Sequence, residues 1–303
     1  MSEVFFNTHE VAKMLQVDKS TVKRWSDEGK LKCYRTPGGH RKFSVECLYR
    51  FMNEFNYGVA TNHLLPFMSN DDAMLKQVIT KNEFHILQSV VIDAALKIKK
   101  EEIIKVISES YQNGLSLALI FDNVIKPSVR NLKALFDSGR IPKYDLLLAA
   151  RTLSTAITIA TDTLPRETYK EQDIVCASLS DVNANANVEF TAITALLENL
   201  GYRVLNLGNH TIADGVSQIF EDKKISLVCL YCNHISNMEK MMNQISAVRS
   251  SLIGKNVFLL LTGEALIEKF QNFFAGISFT VCNSFAEIEL INTNSKTIQK
   301  QIS

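Results

Sequence analysis

The chain has 303 residues, too many for one small core and enough for two or three compact domains. Hydrophobic residues make up 46% and charged residues 21%, an ordinary globular balance, and no apolar run approaches the ~18 residues that would span a bilayer. The start, Met1-Ser2-Glu3-Val4, lacks a basic-then-apolar signal, so a cytoplasmic protein without a membrane partner is expected.

The net charge of +1 is spread unevenly: residues 1–57 hold ten basic and seven acidic residues, which leaves the remainder slightly acidic. Within this head, Thr8 is expected to cap a helix whose apolar residues Val11, Met14 and Leu15 share one face. After the short break Gln16-Val17-Asp18, Asp18 is expected to cap a second helix from Lys19 to Glu28, ended by Gly29. Val22 and Trp25 fall on its inner face, and Lys19, Ser20, Thr21, Lys23 and Arg24 on its outer and N-terminal faces. Two short helices about a tight turn, the second polar and basic outside, form a helix-turn-helix pattern. Pro37-Gly38-Gly39 between two short alternating runs then predicts a hairpin with Arg35, His40, Arg41 and Lys42 at its tip and edges. Such a basic wing can follow a phosphate backbone or enter a minor groove, although any one lysine is as readily a solvated surface residue. Ser44 is placed to cap a third helix with Leu48, Phe51, Met52 and Phe55 on its apolar face.

The strings Ser20-Thr21-Val22-Lys23-Arg24-Trp25, Gly29-Lys30-Leu31 and Arg35 through Phe43, in this order and spacing, resemble the winged-helix head of the MerR family of regulators. The resemblance implies that the second helix enters the major groove of double-stranded DNA with Lys19, Ser20, Thr21, Lys23 and Arg24. It implies that the wing grips the flanking backbone with Arg35, Gly39, His40, Arg41 and Lys42.

Residues 58–71, with little periodicity, read as a linker, and residues 72–168 read as helical throughout. Candidate helices at 83–100, 101–113, 115–137 and 142–163, separated by Asn113-Gly114 and Ser138-Gly139, suggest a four-helix bundle. From 169 to 303 strands and helices alternate. Strands at Ile174–Leu179, Arg203–Leu207, Ile225–Cys232, Val257–Thr262 and Ser278–Val281, with helices at 187–200, 212–222, 237–252, 264–274 and 284–291, predict a doubly wound parallel sheet of flavodoxin-like type. Ligands of such sheets bind beyond the strands' carboxyl ends. Cys229 and Cys232 form a CxxC inside an apolar run with no second ligand pair, so buried thiols are expected and no metal.

The multidomain order of winged head, bundle and flavodoxin-like domain resembles the cobalamin-binding photoreceptor branch of the MerR family and its cobalamin-free relatives. That resemblance implies an acidic residue, a His and a Gly after the first strand, but those places here hold Ala184, Ala186 and Glu189. Above the cobalt it implies a Trp and a Glu-His pair, where Phe136, Leu146 and Leu147 stand. No cofactor is therefore expected, with His210 and His234 the candidate substitutes for a lost ligand. The expected function is a non-enzymatic DNA-binding regulator whose body oligomerises the heads into a dimer or tetramer and answers to a regulatory protein. A cobalamin-dependent light-sensing regulator and a cobalamin-carrying enzyme subunit are the alternatives.

Overall fold

The computed structural model describes residues 5–15, 17–44, 47, 48, 51, 55, 72–179, 184–208, 219, 225–235, 237–255, 257–263 and 277–290. The head opens with β1 (Phe5–Asn7), followed by α1 (Thr8–Met14), α2 (Lys19–Asp27), β2 (Tyr34–Arg35) and β3 (Arg41–Ser44). The expectation that Thr8 caps the first helix is corrected by one residue. Asn7 Oδ1 accepts from the backbone N–H groups of His9 and Glu10 at 2.8 and 3.0 Å, while Glu10 Oε2 accepts from Asn7 N at 2.7 Å. This is a reciprocal capping box, which satisfies N–H groups that the helix itself leaves without partners.

The hairpin forms as expected, and β1 adds a third strand that the sequence pattern did not reveal, giving the antiparallel order β1-β3-β2. At the turn Gly39 takes φ +76°, a left-handed conformation that suits glycine, and its N–H donates to the Thr36 carbonyl at 2.8 Å. Ser44 Oγ accepts from Cys47 N at 3.2 Å, the cap expected there. Val11, Leu15, Val22, Leu31, Phe43, Leu48 and Phe51 form the core of the head, with Trp25 packed against Phe51.

In the body, α3 (Asp72–Thr80) precedes α4 (Phe84–Leu96), α5 (Lys100–Gln112), α6 (Leu117–Ile120), a π-helical turn (Phe121–Ile125), α7 (Lys126–Asp137) and α8 (Lys143–Thr163). The expected single helix over 115–137 is thus interrupted, and α3 lies outside the four helices anticipated. Pro127 supplies the physical reason for the interruption. It has no N–H, and its ring crowds the carbonyl of Asn123 four residues earlier. That carbonyl accepts instead from Gln88 Nε2 of α4 at 2.7 Å.

The C-terminal part contains β4 (Asp173–Ser178), α9 (Ala184–Asn199), β5 (Arg203–Asn206), β6 (Ile225–Tyr231), α10 (Met238–Leu252), β7 (Phe258–Thr262), β8 (Phe279–Cys282) and a helix α11 over 285–290. The five strands are parallel in the order β5-β4-β6-β7-β8, the doubly wound arrangement expected, each within about a residue of its expected bounds. The helices expected at 212–222 and 264–274 lie outside the described residues, apart from the helical position Ile219, as does the linker 58–71.

Alternation along the strands divides the core. Ile174, Cys176, Leu227, Cys229 and Tyr231 pack on the face covered by α9 and the bundle, while Val175, Ala177, Val228, Leu230 and Cys232 pack on the face covered by α10. Cys229 and Cys232 therefore belong to opposite faces of the sheet, and both are buried thiols outside any disulfide. No helix among the described residues is long and apolar enough to cross a membrane.

Candidate functional site

Helix α2 presents the expected polar surface. Lys19, Ser20, Lys23 and Arg24 are exposed and Thr21 is half-buried, while Val22 is fully buried in the core of the head. Asp18 occupies the N-cap position with extended backbone angles, but its side chain makes no capping hydrogen bond. At the other end Arg24 and Lys30 both approach the Glu28 carboxylate, at 3.9 and 2.7 Å.

The wing is fixed to α2 by a contact the sequence reading missed. Arg35 and Arg41 stand directly opposite each other across β2 and β3, a like-charge pair that is unfavourable by itself. Asp27, the last residue of α2, resolves it, since Oδ1 accepts from Arg35 at 2.9 Å and from Arg41 at 2.6 Å. Arg41 alternates with Phe43, so it shares the inner face of β3 and its side chain is only 16% exposed. Arg35, at 58%, keeps most of its guanidinium in solvent. The hydrogen bond from Arg41, joined by the charges of both arginines, holds the Asp27 carboxyl below its ordinary range. The contact is then present at neutral pH and lost only as pH falls through that lowered value. Gly39 and His40 are exposed at the tip, and Lys42 is half-buried on the opposite face of β3 from Arg41. The structure thus gathers all ten predicted head residues onto α2 and the adjoining hairpin, and adds Asp27 between them.

A second site lies at the carboxyl ends of β6, β7 and β8. A cavity of ≈ 250 Å³ opens there between the sheet and α7 of the bundle. Lys126 and Arg130 enter from α7, and Glu189, Tyr231, Asn233 and Ser284 from the sheet side. Glu189 is buried and its Oε2 accepts from the Tyr231 hydroxyl at 2.8 Å and from Asn233 Nδ2 at 3.0 Å. Burial, followed by the Glu189 charge, pushes the Tyr231 phenol far above its ordinary range, so it remains a donor. Gly263, at φ +95°, allows the end of β7 to approach Cys232, because a Cβ there would collide with the Cys232 carbonyl.

The residues expected at a cobalamin site do not suit that cofactor in its usual mode. Ala184 and Ala186 stand in the first turn of α9 and carry no donor atom for cobalt. Where a glycine would leave room, the buried Glu189 carboxylate is held by two partners. On the bundle side Phe136 is half-buried, Leu146 is buried in the core and Leu147 is exposed, and none of the three offers a polar group. His234 is exposed, and His210 lies outside the described residues. No group of three or more His, Cys, Asp or Glu side chains among the described residues is arranged to hold a metal ion.

Comparison with known proteins gives each part a relative of its own. Residues 5–55 match the family of helix-turn-helix domains. No curated protein matches the chain. Among solved structures, the monomethylamine corrinoid protein of Methanosarcina barkeri is similar at 12% identity and a TM-score of 0.54, covering 67% of this chain and 95% of that one. A cobalamin-binding protein from Desulfitobacterium hafniense DCB-2 aligns at 16% identity over 69% of this chain and 97% of that one, with a TM-score of 0.34. The likeness to the corrinoid protein is one of fold alone. The chain carries an N-terminal helix-turn-helix domain, followed by a helical region and a five-stranded parallel sheet whose fold is similar to that of this one corrinoid protein.

Proposed function

We propose that this protein is a sequence-specific DNA-binding regulator of transcription of the MerR type. The observation that carries the reading is the pairing of an exposed basic face on α2 with a basic hairpin tied to the end of the same helix. Lys19, Ser20, Thr21, Lys23 and Arg24 read the major groove, and Arg35, Gly39, His40, Arg41 and Lys42 hold the flanking backbone. One winged head buries too little surface for tight binding, so the body joins two or more heads on repeated half-sites, as a dimer or tetramer in the cytoplasm.

The body performs no catalytic step in this reading and works without cobalamin bound in the usual mode. The corrinoid-type fold supports cobalamin as an ancestral ligand, while Ala184, Ala186 and the engaged Glu189 carboxylate speak against its retention. A protein partner is then the natural signal.

Selection from a random duplex library, followed by affinity measurements from 50 to 300 mM salt, tests the central claim. Several lysine and arginine contacts predict an enriched site and a steep loss of affinity as salt rises. No enrichment, or affinity indifferent to salt, refutes it. Desalting after incubation with adenosylcobalamin in the dark tests the second claim. Corrinoid absorbance retained in the protein fraction overturns it.

A further inference from the structure

We propose that the cavity between α7 and the carboxyl ends of the strands is a binding site for a small organic anion bearing a carboxylate or a phosphate. Its size sets the first limit. A cavity of about 150 Å³ holds a benzene molecule, so ≈ 250 Å³ suits a ligand of about ten non-hydrogen atoms.

Charge sets the second limit. Lys126 and Arg130 are one helical turn apart and both line the α7 wall, whereas Glu189 is the single carboxylate among the described lining residues. That carboxylate already accepts from Tyr231 and Asn233, which reduces its repulsion of an incoming anion. An ammonium and a guanidinium on one wall, with the Ser284 hydroxyl across from them, match the oxygens of a carboxylate or phosphate.

The location gives the ligand something to act on. Bundle and sheet are latched beside the cavity, where Asp122 accepts from the backbone N–H groups of Phe285 and Ala286 at 3.0 and 2.9 Å. Lys126 Nζ donates to the Asn283 carbonyl at 2.8 Å, and Ser116 pairs with Glu289 at 3.1 Å. An anion held by Lys126, Arg130 and Ser284 bridges the same two layers and favours their docked arrangement over any separated one. Binding itself stands apart from the DNA-binding reading; only its use as a signal rests on that reading.

The test is calorimetric titration of the full chain with 2-oxoglutarate, with glycerol 3-phosphate and with uncharged glycerol, at constant ionic strength. One of the anions is expected to bind once per chain and raise Tm, with glycerol inert. Lys126→Met and Arg130→Gln are each expected to weaken that binding about tenfold or more while circular dichroism stays unchanged. Tighter 2-oxoglutarate assigns the site to carboxylates, and tighter glycerol 3-phosphate assigns it to phosphates. The basic head is intact in both variants, so binding there would survive them. The proposal is overturned if neither anion binds the folded protein, or if a folded variant binds as tightly as the parent. If Arg130→Gln does not fold, Lys126→Met carries the test alone.

Discussion

Asp27 offers a perturbation whose sign separates two accounts of the head. Simple electrostatics treats it as one negative charge near phosphate, so Asp27→Ala should tighten DNA binding. If Asp27 merely masks Arg35 and Arg41, the substitution also frees two cations, and each new phosphate contact steepens the slope of log affinity against log salt by about 0.9. The geometry argues for the opposite outcome. The carboxylate joins the end of α2 to both strands of the wing, and it offsets the Arg35–Arg41 repulsion across the hairpin. Without it, two long side chains and the hairpin that carries them must be ordered at the moment of binding. Ordering one such side chain weakens association by about two- to twelvefold. With partial compensation from the lost negative charge, Asp27→Ala is expected to weaken binding to the selected operator about five- to tenfold, with the salt slope unchanged or shallower. Asp27→Asn, which keeps a neutral acceptor, is expected to fall between Ala and the parent. Fluorescence anisotropy at several salt concentrations reads both quantities. Tighter binding with a slope steeper by about two would refute the clamp and show Asp27 to be a mask.

Other consequences are equally direct. Lys23→Ala and Arg24→Ala each leave circular dichroism intact, weaken operator binding about tenfold and relax specificity at the base each one reads. Glu189→Ala strands the buried Tyr231 hydroxyl and is expected to cost about 2–4 kcal/mol in denaturant unfolding, against about 1 kcal/mol for Tyr231→Phe. Equal losses from the two would show that Glu189→Ala carries no penalty for a stranded hydroxyl beyond the bond that both variants remove. Burial raises the carboxyl pKa of Glu198 above its ordinary 4.5, so the native state is penalised once pH passes the raised value, and below 4.5 the penalty disappears. Glu198→Gln is therefore expected to raise Tm on the order of 1 °C at pH 7 and to lose that gain at pH 4, and a gain that persists at pH 4 would exclude ionisation as its source.

Local chemistry made the larger features readable from the sequence alone. Asn113-Gly114, Ser138-Gly139 and Pro142 punctuate the bundle, and short apolar runs mark each strand of the sheet to within about a residue. The ten head residues were legible because a helix and a hairpin display their side chains with fixed periods of 3.6 and 2. The reading of Ala184, Ala186 and Glu189 as a missing donor set rests on residue type alone, since donor capacity belongs to residue type. What required the tertiary structure was every relation between elements. β1 carries too few residues to show a period and exists because β3 offers it an edge. The π-helical turn depends on Gln88, which reaches the Asn123 carbonyl from another helix. Asp27 meets Arg35 and Arg41 only once the hairpin folds back on α2, and Lys126 and Arg130 face Glu189 only once the bundle docks on the sheet. Sequence fixes which groups can donate, accept or carry charge, but the packing of distant segments decides which of them meet.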